Sequence, residues 1–342
     1  MLKYRINKLN ELFSSIAENR LLYIPSDGTD GRAHYTRWQD GIVLSDKLNT
    51  VRSAKDFFFP QSENLIEFER NGKEIKVNDI RKEPEDFVIF GVRACDAASF
   101  DILDRVFLSE PVDSYYASRR EHGIVMTLAC DRPAETCFCT TFGIDPACPG
   151  GDISCWQSGD WIYIEANTEK GKVFLNGLDL AMEQCDENEI AEDKKVICER
   201  IGKLPINNLP MDCFGAGKTE TYFNDPAWAK LSESCLGCGT CTFVCPTCQC
   251  YDIKDFDTGS SIRRFRCWDS CMYSDFTMMS AGQPRPTQLE RFRQRFMHKL
   301  VYFPENNDGI FGCVGCGRCL SRCPISMNIV KVIKNLGGNS NV

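Results

Sequence analysis

The chain has 342 residues, 43% of them apolar, which is enough to fill the cores of two or three domains. Acidic residues outnumber basic ones 48 to 40, for a formal net charge of -8, which argues against nucleic acid as the main partner and leaves no polybasic membrane anchor. No stretch approaches the roughly 20 apolar residues of a membrane span, and residues 1–20 alternate apolar and charged side chains as an amphipathic helix does, unlike a signal peptide, so a cytoplasmic protein is expected.

From residue 1 to 222 the chain reads as an α+β or α/β domain. Short apolar or β-branched runs bounded by Gly, Asp or Pro predict strands at Leu21–Pro25, Asn64–Glu69, Phe87–Val92, Gly123–Leu128 and Trp161–Glu165. Helical periodicity predicts helices at Arg5–Asn19, Ala98–Phe107 and Asn176–Ile201. Periodicity then dissolves into Pro, Gly and Asn between residues 205 and 225. Residues 223–342 read as a second, all-α domain of the helical-ferredoxin type, with helices at Ala227–Ser234, Gln288–Tyr302 and Ile325–Leu336.

Twenty-one cysteines in a reducing compartment point to metal or redox chemistry, because a disulfide framework would not persist there. Two runs stand out. Cys235-Leu-Gly-Cys238-Gly-Thr-Cys241-Thr-Phe-Val-Cys245-Pro246 and Cys313-Val-Gly-Cys316-Gly-Arg-Cys319-Leu-Ser-Arg-Cys323-Pro324 share one spacing, that of two-cluster ferredoxins. Two residues between cysteines let a tight loop aim three thiolates at one cubane, and the glycines let the backbone wrap closely. The fourth cysteine of each run ligates the other cluster. The expected ligands are therefore Cys235, Cys238, Cys241 and Cys323 for cluster one, and Cys313, Cys316, Cys319 and Cys245 for cluster two. A pair of four-cysteine zinc sites is the alternative, but the repeated three-plus-one run with its proline is the cluster signature.

About 70 residues separate the runs, too many for a compact bacterial ferredoxin, and between Ser261 and Leu300 eight Arg and Lys residues face three acidic ones. Positive charge near an anionic cluster favours its reduced form; a docking face for an acidic partner is the other reading.

Cys248, Cys250, Cys267 and Cys271 lie beside the first run, where four thiols suffice for another metal site or serve as packing around a cluster. In the first domain, Cys95 and Cys130 follow two of the predicted strands and Cys137-Phe-Cys139 lies close by. Ligands gather at strand ends in open α/β sheets, so these four are candidates for a third iron–sulfur cluster, inert thiols being the alternative. Cys148, Cys155, Cys185, Cys198 and Cys213 lack ligand spacing, and the three histidines are scattered. No Gly-x-Gly-x-x-Gly turn or phosphate loop follows a predicted strand, so the chain carries no recognisable flavin or nicotinamide site.

Gly91-Val-Arg-Ala-Cys95-Asp96, Thr136-Cys137-Phe-Cys139, Cys245-Pro-Thr-Cys248, Trp268-Asp-Ser-Cys271 and Cys313-Val-Gly-Cys316-Gly-Arg-Cys319 together resemble the dicluster electron-transfer subunit of anaerobic sulfite reductase and the β subunit of sulfhydrogenases. The resemblance spans most of the chain. It implies a non-catalytic dicluster subunit of an anaerobic oxidoreductase complex, relaying electrons between an FAD/NAD(P)-binding reductase subunit and a terminal oxidoreductase module. That module is a sulfite reductase, a hydrogenase or a heterodisulfide-reductase-like unit. The alternative is a self-contained iron–sulfur reductase with catalysis in the N-terminal domain, which would need an organic-cofactor site or an open metal position.

Overall fold

The computed structural model describes residues 1–338 apart from Leu48 and Asn207. Its strands are β1 (Leu2–Arg5), β2 (Leu21–Asp27), β3 (Ala33–Arg37), β4 (Ser62–Asn71), β5 (Glu74–Asp79), β6 (Phe87–Val92), β7 (Gly123–Leu128), β8 (Ile153–Ser158), β9 (Trp161–Ala166), β10 (Glu183–Gln184), β11 (Tyr251–Asp257) and β12 (Ser261–Trp268). Eight of them form one sheet in the order β10-β1-β9-β8-β7-β6-β2-β3. The centre of this sheet, β2-β6-β7-β8, is parallel, and antiparallel strands flank it.

Every residue of β6 and β7 is buried, as expected for strands covered on both faces. Side chains alternate across the sheet. Phe87, Ile89 and Val125 meet Phe100, Leu103 and Phe107 of the helix Ala94–Phe107. On the opposite face Val88, Phe90, Ile124 and Met126 meet Leu12, Phe13 and Ile16 of the helix Leu9–Ala17. The mixed α and β character read from the sequence is therefore present. In the first domain two helices are shorter than expected: the first runs over Leu9–Ala17, because Leu2–Arg5 is a strand paired between β9 and β10, and only Ala191–Gly202 of the long acidic stretch is a further α-helix.

The expectation of an all-α second domain is not met. β11 and β12 form a hairpin within the insertion, and β12 pairs antiparallel with β4, so the second sheet runs β11-β12-β4-β5. This sheet joins segments from both sides of residue 222. Electrostatics sets the partnership. The basic β12 lies between two acidic strands, where Arg263 meets Glu67 at 3.0 Å and Arg264 meets Asp255 at 2.8 Å. Arg266 is buried between Glu63 and Asp113. Three of the insertion's cations are thus neutralised within the sheet.

After the hairpin, the helical structure in residues 269–287 is a 3-10 turn at Asp275–Thr277, and the helical part of the insertion is chiefly Gln288–Met297, which Thr287 and Glu290 cap reciprocally. Its axis continues into a π turn over His298–Tyr302, a distortion frequent near functional sites. Phe292, Phe296, Met297, Leu300 and Val301 pack on Trp228, Leu231 and the terminal helix Ile329–Leu336 in a second core that surrounds both cysteine runs.

Candidate metal centres

The first run and the last cysteine of the second converge. Cys235, Cys238, Cys241 and Cys323 line one cavity, together with Met272, Phe292, Arg295 and Phe296. Cys245, Cys313, Cys316 and Cys319 line another with Phe138, Thr247, Arg295 and Lys299. These are the two crossed sets that the spacing predicts. Cys238 is exposed and Leu236 beside it is 66% exposed, so the first cavity lies at the surface, whereas Cys245 and Cys316 are buried. Among the described residues no group of three or more His, Cys, Asp or Glu side chains is arranged to hold a single metal ion. The thiols surround cavities instead.

Short helices shape the loops. Gly239 and Gly317 adopt left-handed conformations directly before Thr240–Phe243 and Arg318–Arg322, which carry Cys241 and Cys319. The second run needs its glycines for a further reason. A Cβ on Gly315 would lie 2.4 Å from the Phe138 carbonyl oxygen, and one on Gly317 would lie 2.3 Å from that of Thr136. The Phe138 N–H donates to the Gly315 carbonyl at 2.9 Å. The Thr136–Cys139 loop of the sheet domain therefore lies directly on the second run.

Two of the eight cations between Ser261 and Leu300, Arg295 and Lys299, sit beside the cavities. Arg295 is 3% exposed; it donates from Nη2 to the Cys241 carbonyl at 3.0 Å and from Nη1 to Cys248 Sγ at 3.6 Å, while its buried Nε has no partner among the described residues. Burial works against its charge, yet the sulfurs of Cys241, Cys248, Cys319 and Cys245 hold its pKa well above the ordinary value. Lys299, also buried, donates to Thr247 Oγ1 at 2.7 Å and to the Gly312 carbonyl at 2.8 Å, tying the two runs together. Burial lowers its pKa, and Cys245 and Cys248 more than reverse this. Buried cations need anionic partners, and the groups favouring these two charges are sulfurs. The donor set and its counter-charges thus fit thiolate-bound clusters. The available signal was the spacing of Arg295 and Lys299, four apart on a helical stretch whose other inward residues are apolar.

The N-terminal thiols also gather. Cys95 opens the helix after β6, Cys130 follows β7, and Cys137 and Cys139 come from the loop that contacts the second run. Burial pushes the Cys139 thiol up to about 12, with Cys130 and Cys137 adding to the effect. Burial likewise raises Cys95, with Asp96, Cys316 and Cys139 contributing. Cys95, Cys139 and Cys316 share one apolar cluster with Val314 and Phe303. Arg93 bridges the ends of β6 and β7 through Leu128 O at 3.1 Å and Ala129 O at 3.3 Å.

The four thiols beside the first run do not all converge. Cys248 adjoins Cys245, and Cys250 adjoins Cys271, but Cys267 faces Lys254, Asp252 and Asp269 on the hairpin. Cys155 is buried in β8, and Cys148 and Cys198 are exposed. His34 and His122 pair with Asp30 and Asp86 at the surface.

Two four-thiol cavities built from a doubled run and backed by buried cations define an iron–sulfur dicluster protein, and residues 234–327 match the family described as a 4Fe-4S dicluster domain, which implies two 4Fe-4S clusters. Over 290 residues, 84% of this chain and 84% of the relative, the sequence is 33% identical to sulfhydrogenase 2 subunit beta of Pyrococcus furiosus. The chain belongs to the sulfhydrogenase β-subunit family and is an iron–sulfur electron-transfer subunit of a sulfhydrogenase-like complex. No solved structure matches it. Among the described residues no helix is long and apolar enough to cross a membrane.

Proposed function

We propose that this chain is a linear relay between an FAD/NAD(P)-binding reductase subunit and a terminal oxidoreductase module, with Cys235, Cys238, Cys241 and Cys323 holding the first cluster and Cys313, Cys316, Cys319 and Cys245 the second. Cys95, Cys130, Cys137 and Cys139 hold a third. When bound, a 4Fe-4S cluster accepts and returns one electron at a time. The observation that carries the reading is the succession of sites. A surface-edged cavity shares Arg295 with a buried one, and the buried one abuts the N-terminal thiols through Cys95, Cys139 and Cys316.

The chain's part is to hold and shield. Phe292, Phe296, Met272 and Phe138 exclude water around the cavities, which limits solvent reorganisation, and the crossed fourth cysteines tie the two loops into one rigid unit. The hydrogen bond from Gln288 Nε2 to Cys235 Sγ at 3.4 Å steadies a ligand of the exposed centre.

The test is an anaerobic iron and sulfide count with EPR on wild type and a Cys95→Ala, Cys130→Ala double variant. About twelve irons in wild type and about eight in the variant are expected. About eight in both would remove the third centre. Rapid NAD(P)H oxidation by the isolated chain without an added flavoprotein would contradict the relay itself.

A further inference from the structure

We propose that Arg295 is a shared positioning charge that sets the reduction potentials of both centres together, whereas Lys299 acts on the second alone; this rests on the cluster assignment above.

Three observations carry it. Arg295 lines both cavities, and Lys299 lines only the one formed by Cys245, Cys313, Cys316 and Cys319. Arg295 donates from Nη2 to the carbonyl of Cys241, a ligand of the first set, whereas Lys299 donates to Thr247 Oγ1 and to the Gly312 carbonyl, beside Cys245 and Cys313 of the second. Moreover, the unpartnered Nε and the 3.6 Å contact to Cys248 Sγ leave much of this buried guanidinium without hydrogen bonds. A charge so placed is costly unless compensated by anions nearby.

The electrostatics gives the sign. A 4Fe-4S core of charge 2+ held by four thiolates carries a net 2−, and one-electron reduction makes it 3− without breaking or forming a bond. A fixed cation stabilises the more negative form more, so it raises the potential. Arginine stays protonated throughout the accessible pH range, so the effect does not vary with pH. A single cation between two centres moves both in the same direction, preserving their difference while shifting the pair against outside partners.

The experiment is an EPR-monitored redox titration of the full chain, with iron counted in each sample. Arg295→Gln is expected to lower the one-electron reduction equilibrium of both centres at least tenfold, equivalent to 59 mV. Arg295→Lys should retain more than half of the wild-type effect, and Lys299→Gln should shift only the second centre. If both centres are loaded in Arg295→Gln and neither moves, or only one does, the proposal is wrong. A shift in Arg295→Lys as large as in Arg295→Gln would also overturn it, because geometry and not charge would then be at work. Should Arg295→Gln fail to take up iron, Lys299→Gln still decides: equal displacement of both centres, or of neither, overturns the assigned reach of the two cations. Failure of the cluster assignment looks different, since wild type itself would then lack the two centres.

Discussion

Arg318, between the cluster-run cysteines Cys316 and Cys319, forms a two-pronged ion pair with Asp96, the neighbour of Cys95, with Nη2 to Oδ2 at 2.7 Å. The pair is almost fully buried, at 3% and 1% side-chain exposure, and Arg318 also donates to the Thr50 carbonyl at 3.0 Å. It clamps the second run to the end of β6. Removing one partner of a buried pair strands the other charge, so Asp96→Asn should cost about 3–5 kcal/mol. Anaerobic guanidinium unfolding of the loaded protein reads this directly; a loss under about 1 kcal/mol would place the pair in the range of a solvent-exposed bridge.

Gly315 offers a steric test. Its φ is +59°, and a Cβ there would lie 2.4 Å from the Phe138 carbonyl oxygen and 2.7 Å from the Cys139 Cα. Gly315→Ala therefore combines left-handed strain with backbone collision, and a loss of more than about 1 kcal/mol is expected. The second centre should lose iron preferentially. Gly309→Ala is the comparison, because it has φ of +80° with no atom near its Cβ, so it carries the strain without the collision. Equal effects of the two substitutions on iron content would show that the Thr136–Cys139 loop does not press on the run.

His298 gives the fold a pH dependence. Burial, aided by Lys299 and Arg285, lowers its pKa from 6.5 to about 4. The unfolded chain therefore binds more protons between these values, and stability rises with pH through the window. As pH falls from about 6.5 toward 4 the contribution of neutral His298 is lost, up to about 3 kcal/mol at full effect. Unfolding midpoints of wild type and His298→Gln compared between pH 7.5 and 5.5 should diverge, wild type falling more steeply. Parallel curves would contradict the partly buried neutral imidazole.

Much of the site was legible because cluster chemistry is written in spacing: three cysteines on one loop and a fourth turned away by proline need no tertiary information. β6 and β7 match their predicted bounds for a similar reason, since short, mostly apolar runs signal strands buried on both faces. The hairpin β11–β12 was hidden by its charges. Arg263, Arg264 and Arg266 look like a solvated basic surface until Glu67 and Glu63, nearly 200 residues earlier in the chain, are placed beside them. The basic insertion therefore divides: its strand cations are neutralised in the sheet, and Arg295 and Lys299 face the cavities. Likewise the glycines of the second run looked like features of loop wrapping, whereas Gly315 and Gly317 also answer to a loop about 180 residues away.

Whether the two crossed thiol sets each hold a 4Fe-4S cluster in one electron path is tested most directly by the anaerobic iron count and reduced-state EPR spectrum of Cys245→Ala beside those of Cys323→Ala. The crossed assignment predicts that each variant loses about four irons. Cys245→Ala should remove the signal of the centre held by Cys313, Cys316 and Cys319, and Cys323→Ala that of the centre held by Cys235, Cys238 and Cys241. Loss of each variant's own-run centre, or bound zinc in place of iron, would contradict it.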